Sequence, residues 1–255
     1  MGHIDSIRGI AALMVAYAHT TQNFSAIPAV KEHGTFLYTI AYQLGFGRAG
    51  VIAFFAISGF VICPSLKGGL YAGARKFLIS RFFRLFPAFW MSMVLALLVM
   101  FVWRGRPIDI PQVIGNIPML YTAFHVKPIQ GLYWTLEVEL IFYFICLALF
   151  LCGSLHKPIT LFLVGLVLMA GSQWIFGQND IVIAIRDATG GKGISLWAYL
   201  PWNLAIMFWG GFFRIWYDNR RQACSFGSYQ IPLGALVVVL LAAILWRPFI
   251  LISTA

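Results

Sequence analysis

The chain has 255 residues, 61% of them hydrophobic and only 10% charged, with a formal net charge of +10. A soluble globular domain carries about 25% charged residues, so the composition excludes one and points to an all-α, polytopic integral membrane protein. No compact basic region is set apart to bind nucleic acid, and the surplus charge fits cationic loops facing anionic lipid and a phosphate-bearing ligand.

Apolar runs long enough to cross about 30 Å of hydrocarbon fall near residues 4–24, 36–62, 77–103, 132–152, 158–177, 196–216 and 230–253. They predict about seven transmembrane helices in one membrane domain spanning residues 1–255. In the first, Arg8 and His19 bracket an uncharged stretch. Their offset is about three helical turns, which places both on nearly one face, about 16 Å apart. Ionisable groups inside a span are costly and point to function. Asp5 and Arg8 interrupt the amino end, so no cleavable signal peptide is expected.

The second run contains Ser58-Gly59, a pair that usually marks close helix packing. Lys67, Arg75 and Lys76 follow, and Arg81 and Arg84 open the third run one turn apart on one face. Only Lys31 lies between the first two runs, so the excess of basic residues puts this second loop, and with it the amino terminus, in the cytoplasm. Residues 104–131 carry Pro107, Pro111, Pro118 and Pro128 and read as a long loop. The fourth run begins near Leu132 and holds Glu137 and Glu139. Two residues apart, they point to nearly opposite faces. Glu139 is expected to face a cavity and Glu137 to be an interfacial or outer-loop carboxylate. By helical rise Glu139 lies about 10 Å below the outer surface, a depth similar to that of His19.

The cysteines, Cys63, Cys146, Cys152 and Cys224, follow no metal-ligand spacing. No metal is expected, and the three in or beside apolar runs read as buried thiols. Structural readings stand beside the functional ones. His19 could simply bond a neighbouring helix, Arg8 could snorkel, and Arg81 and Arg84 could be ordinary topology signals.

Four segments then combine. Asp5-Ser6-Ile7-Arg8-Gly9 leads to His19, and Phe54-Phe55-Ala56-Ile57-Ser58-Gly59-Phe60 follows. The third is Arg81-Phe82-Phe83-Arg84-Leu85-Phe86-Pro87, and the fourth runs from Trp134-Thr135-Leu136-Glu137-Val138-Glu139 to Phe142-Tyr143. In this order and spacing, over residues 4–145, the chain resembles acyltransferase family 3, membrane proteins that O-acylate envelope glycans and related acceptors. That family usually has about ten spans, so the resemblance implies a shortened form matching its amino-terminal two thirds.

The resemblance implies transfer of an acyl group, expected to be acetyl, from acyl-coenzyme A to a hydroxyl of a cell-envelope or exported carbohydrate, in the inner membrane. His19 would be the general base, since imidazole exchanges protons near neutral pH. Glu139 would orient or stabilise it, and Arg8 would complete the catalytic set. Arg8, Arg81 and Arg84, with Ser58, would hold the donor, because guanidinium forks suit phosphate oxygens. Trp134 and Tyr143 would meet substrate, although packing explains both as well. Competing readings are an exporter of a polar or anionic solute and an inactive partner in glycan export. A homo-oligomer is left open.

Overall fold

A computed structural model of the protein describes residues 2–25, 46–103, 105, 107–124, 126–177 and 196–223. These residues form helices α1 (Gly2–Ser25), α2 (Phe46–Ile62), α3 (Leu70–Leu98), α4 (Ile110–Asn116), α5 (Trp134–Leu151), α6 (Pro158–Gly177) and α7 (Leu196–Ala223). A 3-10 turn, Cys63–Ser65, follows α2, a π-helical turn, Val99–Trp103, extends α3, and a 3-10 turn, Gly131–Tyr133, leads into α5. No strand occurs among the described residues.

Among the described residues four helical stretches are long and apolar enough to cross a membrane: Gly47–Ser65, Leu70–Val102, Gly131–Leu151 and Pro158–Ile175. The predicted seventh run, 230–253, and the first part of the second lie outside the described residues. α1 and α7 are 24 and 28 residues long but are not among these four. Polar residues dilute both: Asp5, Arg8, His19 and Thr20 in α1, Arg214 and Asp218 in α7.

The chain divides into two compact units, residues 1–61 with 206–255, and residues 62–205. In the first, α1 and α2 run antiparallel. Gly47 abuts Ala18, Gly50 abuts Ala11, and the Arg8 guanidinium lies 5.6 Å from the centre of the Phe54 ring. α2 also packs on α7 at very close range. A Cβ on Gly59 would run into the Met207 carbonyl, and one on Gly210 into the Ala56 carbonyl. Small residues let backbones approach this closely when apolar solvent supplies no other drive for association.

In the second unit, α3 buries one stripe recurring mainly every fourth residue: Gly73, Phe77, Arg81, Leu85, Phe89, Met93 and Ala96. Its partner is α5, running antiparallel. Phe77 meets Tyr143 edge-on at 5.6 Å near one end, and Phe89 meets Tyr133 at 4.8 Å near the other. α5 stops where Gly153 takes a φ of +65°, the left-handed turn that commonly closes a helix. α6 then starts on Pro158, which lacks the amide hydrogen a first helical turn cannot use anyway.

The connection from α3 to α5 is more structured than its prolines suggest. Asn116 donates to the Lys127 carbonyl at 2.9 Å and accepts from the Ile129 amide at 3.2 Å. Gln112 also donates to the Lys127 carbonyl, at 3.0 Å, and Trp90 of α3 reaches the Ile117 carbonyl at 3.1 Å. Met119 is fully buried with a φ of 62°, a conformation costing a non-glycine residue about 1–3 kcal/mol.

Glu137 holds this connection down, which corrects its reading as an interfacial carboxylate. It is 1% exposed. One oxygen accepts the Thr122 amide at 3.1 Å and the other the Thr122 hydroxyl at 2.6 Å. The Tyr121 hydroxyl stands near the same carboxylate, and burial, then that neighbouring charge, hold the phenol well above its ordinary range. Glu137→Ala would leave the Thr122 donors unmatched, a cost of about 1–3 kcal/mol. Faster proteolysis within residues 107–130 of the variant is the expected result, measured against the wild-type protein in the same detergent.

Cys63 and Cys146 are buried, with sulfurs 3.9 Å apart. Cys152 is exposed, contrary to its reading as a buried thiol, because α5 ends at Leu151 and leaves it in a turn. Cys224 lies outside the described residues.

Candidate functional site

The second unit builds a buried polar cluster from three of the residues singled out in the sequence. Glu139 and Tyr143 stand one turn apart on α5, which lets their side chains meet. The Tyr143 hydroxyl donates to Glu139 Oε1 at 2.5 Å. Glu139 is 3% exposed and Tyr143 2%. Tyr143 is therefore committed to the carboxylate and does not present its hydroxyl on an open surface.

Arg81 closes the cluster from α3. Its guanidinium lies 5.5 Å from the centre of the Tyr143 ring and 5.3 Å from that of Phe77. One terminal nitrogen donates to Ser65 Oγ at 2.8 Å, and Ser65 in turn donates to the Ile62 carbonyl at 2.6 Å. Among the described residues Arg81 Nε has no hydrogen-bond partner, and no carboxylate forms an ion pair with this guanidinium. Burying an unpaired charge is normally prohibitive. Here two aromatic faces, each worth about 1–2 kcal/mol when desolvated, offset part of the cost.

α3 begins at Leu70, seven residues before the predicted start, so Arg81 lies about 17 Å along the helix axis. Arg81 and Arg84 stand one turn apart but differ in burial: Arg81 belongs to the buried stripe through Phe77 and Leu85, and Arg84 at its edge is exposed. Trp134, at the first position of α5, is half-buried.

The first unit holds the remaining candidates. α1 is helical throughout from Gly2 to Ser25, so Arg8 and His19 do keep nearly one azimuth. Arg8 is half-buried beside Phe54, and His19 is exposed. Ser58 is 1% exposed, and among the described residues its hydroxyl has no partner.

Sequence reasoning missed Ser65, Thr122 and Tyr121. Ser65 and Arg81 are sixteen residues apart, Thr122 and Glu137 fifteen, and no periodic pattern links positions across a turn. The cluster offers an acceptor carboxylate, fixed by a phenol and backed by a delocalised cation. Such a group can hold a proton donor or stabilise a developing positive charge.

The acyltransferase family 3 model, described as an acyltransferase domain, matches residues 1–253. That match extends well past residue 145, beyond the motifs legible by eye. Protein 2 in the picA locus of Rhizobium radiobacter is 29% identical over 193 residues, covering 74% of this chain and 82% of that protein. No solved structure matches. With the apolar spanning helices and the motif residues in their places on α1, α2, α3 and α5, the chain belongs to acyltransferase family 3.

Proposed function

We propose that this membrane acyltransferase moves an acetyl group from acetyl-coenzyme A to a hydroxyl of a cell-envelope or exported carbohydrate. The observation that carries the reading furthest is the buried Tyr143–Glu139 pair with Arg81 behind it, set within a chain that matches the family over nearly its whole length. A carboxylate buried and bonded inside a spanning helix is expensive, and function is the usual reason for one.

In the proposed reaction His19 takes the proton of the acceptor hydroxyl as its oxygen attacks the thioester carbonyl. The new carbon–oxygen bond forms, the carbon–sulfur bond breaks, and the departing thiolate recovers the proton from the imidazolium. The products are the ester and free coenzyme A. Glu139, fixed by Tyr143, supplies the carboxylate that favours positive charge developing during transfer. Arg8 and the exposed Arg84 hold donor phosphates, while Arg81 positions the Tyr143–Glu139 pair from within α3. The protein works in the inner membrane with its amino terminus in the cytoplasm, where acyl-coenzyme A is made.

The test is transfer of radiolabelled acetyl from acetyl-coenzyme A in membranes containing the protein, followed by identification of the labelled product. His19→Ala and His19→Gln should each lower turnover by roughly 10²–10⁴-fold. Near wild-type turnover by both variants would remove His19 from the reaction, and solute flux without an acyl donor would favour an exporter.

A further inference from the structure

One exposed face of the first three turns of α3, formed by Tyr71, Ala72, Arg75, Lys76, Ile79 and Ser80, borders a shallow open groove of about 510 Å³. None of the mechanism above uses it. We propose that this groove seats the headgroup of an anionic phospholipid, with the phosphate held by Arg75 and Lys76.

Charge points to an anion. Arg75 and Lys76 are exposed, and neither forms an ion pair among the described residues. No Asp or Glu occurs between residues 62 and 108 or between 140 and 179. Lys67 and Lys157 reinforce the same end of the unit, because the turn after α2 is tied to the turn before α6. His156 Nε2 lies 2.8 Å from the Leu66 carbonyl. Among the described residues the local field is thus positive with no acid paired to it, the arrangement that attracts the negative leaflet surface.

Position points to a lipid. Leu70–Val102 is a 33-residue stretch, rising about 50 Å, against about 30 Å of hydrocarbon. The helix must overhang or tilt, and its charged first turns are the part that cannot enter the apolar layer. The groove therefore lies in the headgroup zone. Tyr71, 82% exposed, stands where interfacial aromatics usually sit.

Shape and chemistry agree. Just beyond Lys76 the exposed side of α3 presents Ile79, Phe82 and Phe83, a run on which acyl chains can lie. The Arg75 fork and the Lys76 ammonium supply donors for phosphate oxygens, and Ser80 adds a hydroxyl at the groove wall. A nucleotide would need partners for its base, and among the described residues the groove offers no amide or carboxylate side chain. This site stands apart from acyl transfer, and its test does not use activity.

The experiment places the full chain in nanodiscs of phosphatidylcholine doped with phosphatidylglycerol bearing a photoactivatable acyl chain. Crosslinks should map to residues 71–83, and a phosphatidylcholine probe of the same design should label this segment far less. Arg75→Ala with Lys76→Ala should lower labelling roughly twentyfold. The charge-preserving pair Arg75→Lys with Lys76→Arg should restore most of it, and Lys127→Ala should leave it unchanged. Equal labelling by the two lipid probes, or undiminished labelling of the double alanine variant, would overturn the proposal. So would displacement of the lipid by excess coenzyme A or inorganic phosphate, which would assign the groove to a soluble phosphate.

Discussion

Glu139→Gln should reduce acyl transfer by roughly 10²–10⁴-fold while leaving the protein folded. The amide keeps the shape of the carboxylate and can still accept from the Tyr143 hydroxyl, but it carries no charge. Tyr143→Phe tests the same pair from the other side. It removes only the 2.5 Å hydrogen bond and leaves the ring that Arg81 covers. Its expected loss is smaller, roughly tenfold in kcat with little change in KM for the donor, since the hydroxyl positions and does not bind. Both variants should melt within a few degrees of the wild type in detergent, read by tryptophan fluorescence. Full activity in Glu139→Gln would sink the role given to the carboxylate. A collapse in melting temperature without separable kinetics would make the pair a structural device only.

The second large effect is structural. Gly59→Ala should cost about 3 kcal/mol or more, at the top of the range for overpacking. The added carbon meets the Met207 carbonyl, which is backbone and cannot rotate away as a side chain would. Gly210→Ala should behave alike against the Ala56 carbonyl. Gly9→Ala is the matched control. Nothing lies within 4 Å of its Cβ position, and alanine in a helix is favoured over glycine by about 1 kcal/mol. Thermal unfolding in one detergent should therefore rank Gly9→Ala at or above wild type and the other two far below it.

The sequence made the helices legible where composition changes sharply. α6 was expected at 158–177 and occupies Pro158–Gly177, because a proline and a glycine bracket an uninterrupted apolar run. α3 starts earlier than expected. Its first turns, Leu70-Tyr71-Ala72-Gly73-Ala74-Arg75-Lys76, are too polar to read as membrane span, yet most of these residues form helix readily. Of the seven runs, four are spanning stretches among the described residues, α1 and α7 are long enough but polar, and 230–253 lies outside the described residues.

Within the site, Glu139 and Tyr143 could be paired from their spacing on one helix. The partners of Arg81 and Glu137 could not. Arg81 looked like one more basic residue at a cytoplasmic helix start, and its burial follows from a stripe visible only once α3 meets α5. Glu137 looked solvated because a carboxylate near a helix start usually is. Only the return of the Thr122 turn over that helix encloses it.

Seated 5.3 Å from the Phe77 ring centre and 5.5 Å from that of Tyr143, the guanidinium at position 81 bears on substitution tolerance. Lysine, the customary stand-in, concentrates its charge at one strongly hydrated nitrogen and has no plane to lay against a ring. Methionine would match the bulk but could not donate to Ser65. Of the common side chains only arginine combines planarity, permanent ionisation and a spare donor, so this position is closed to the exchange that ordinarily passes as conservative.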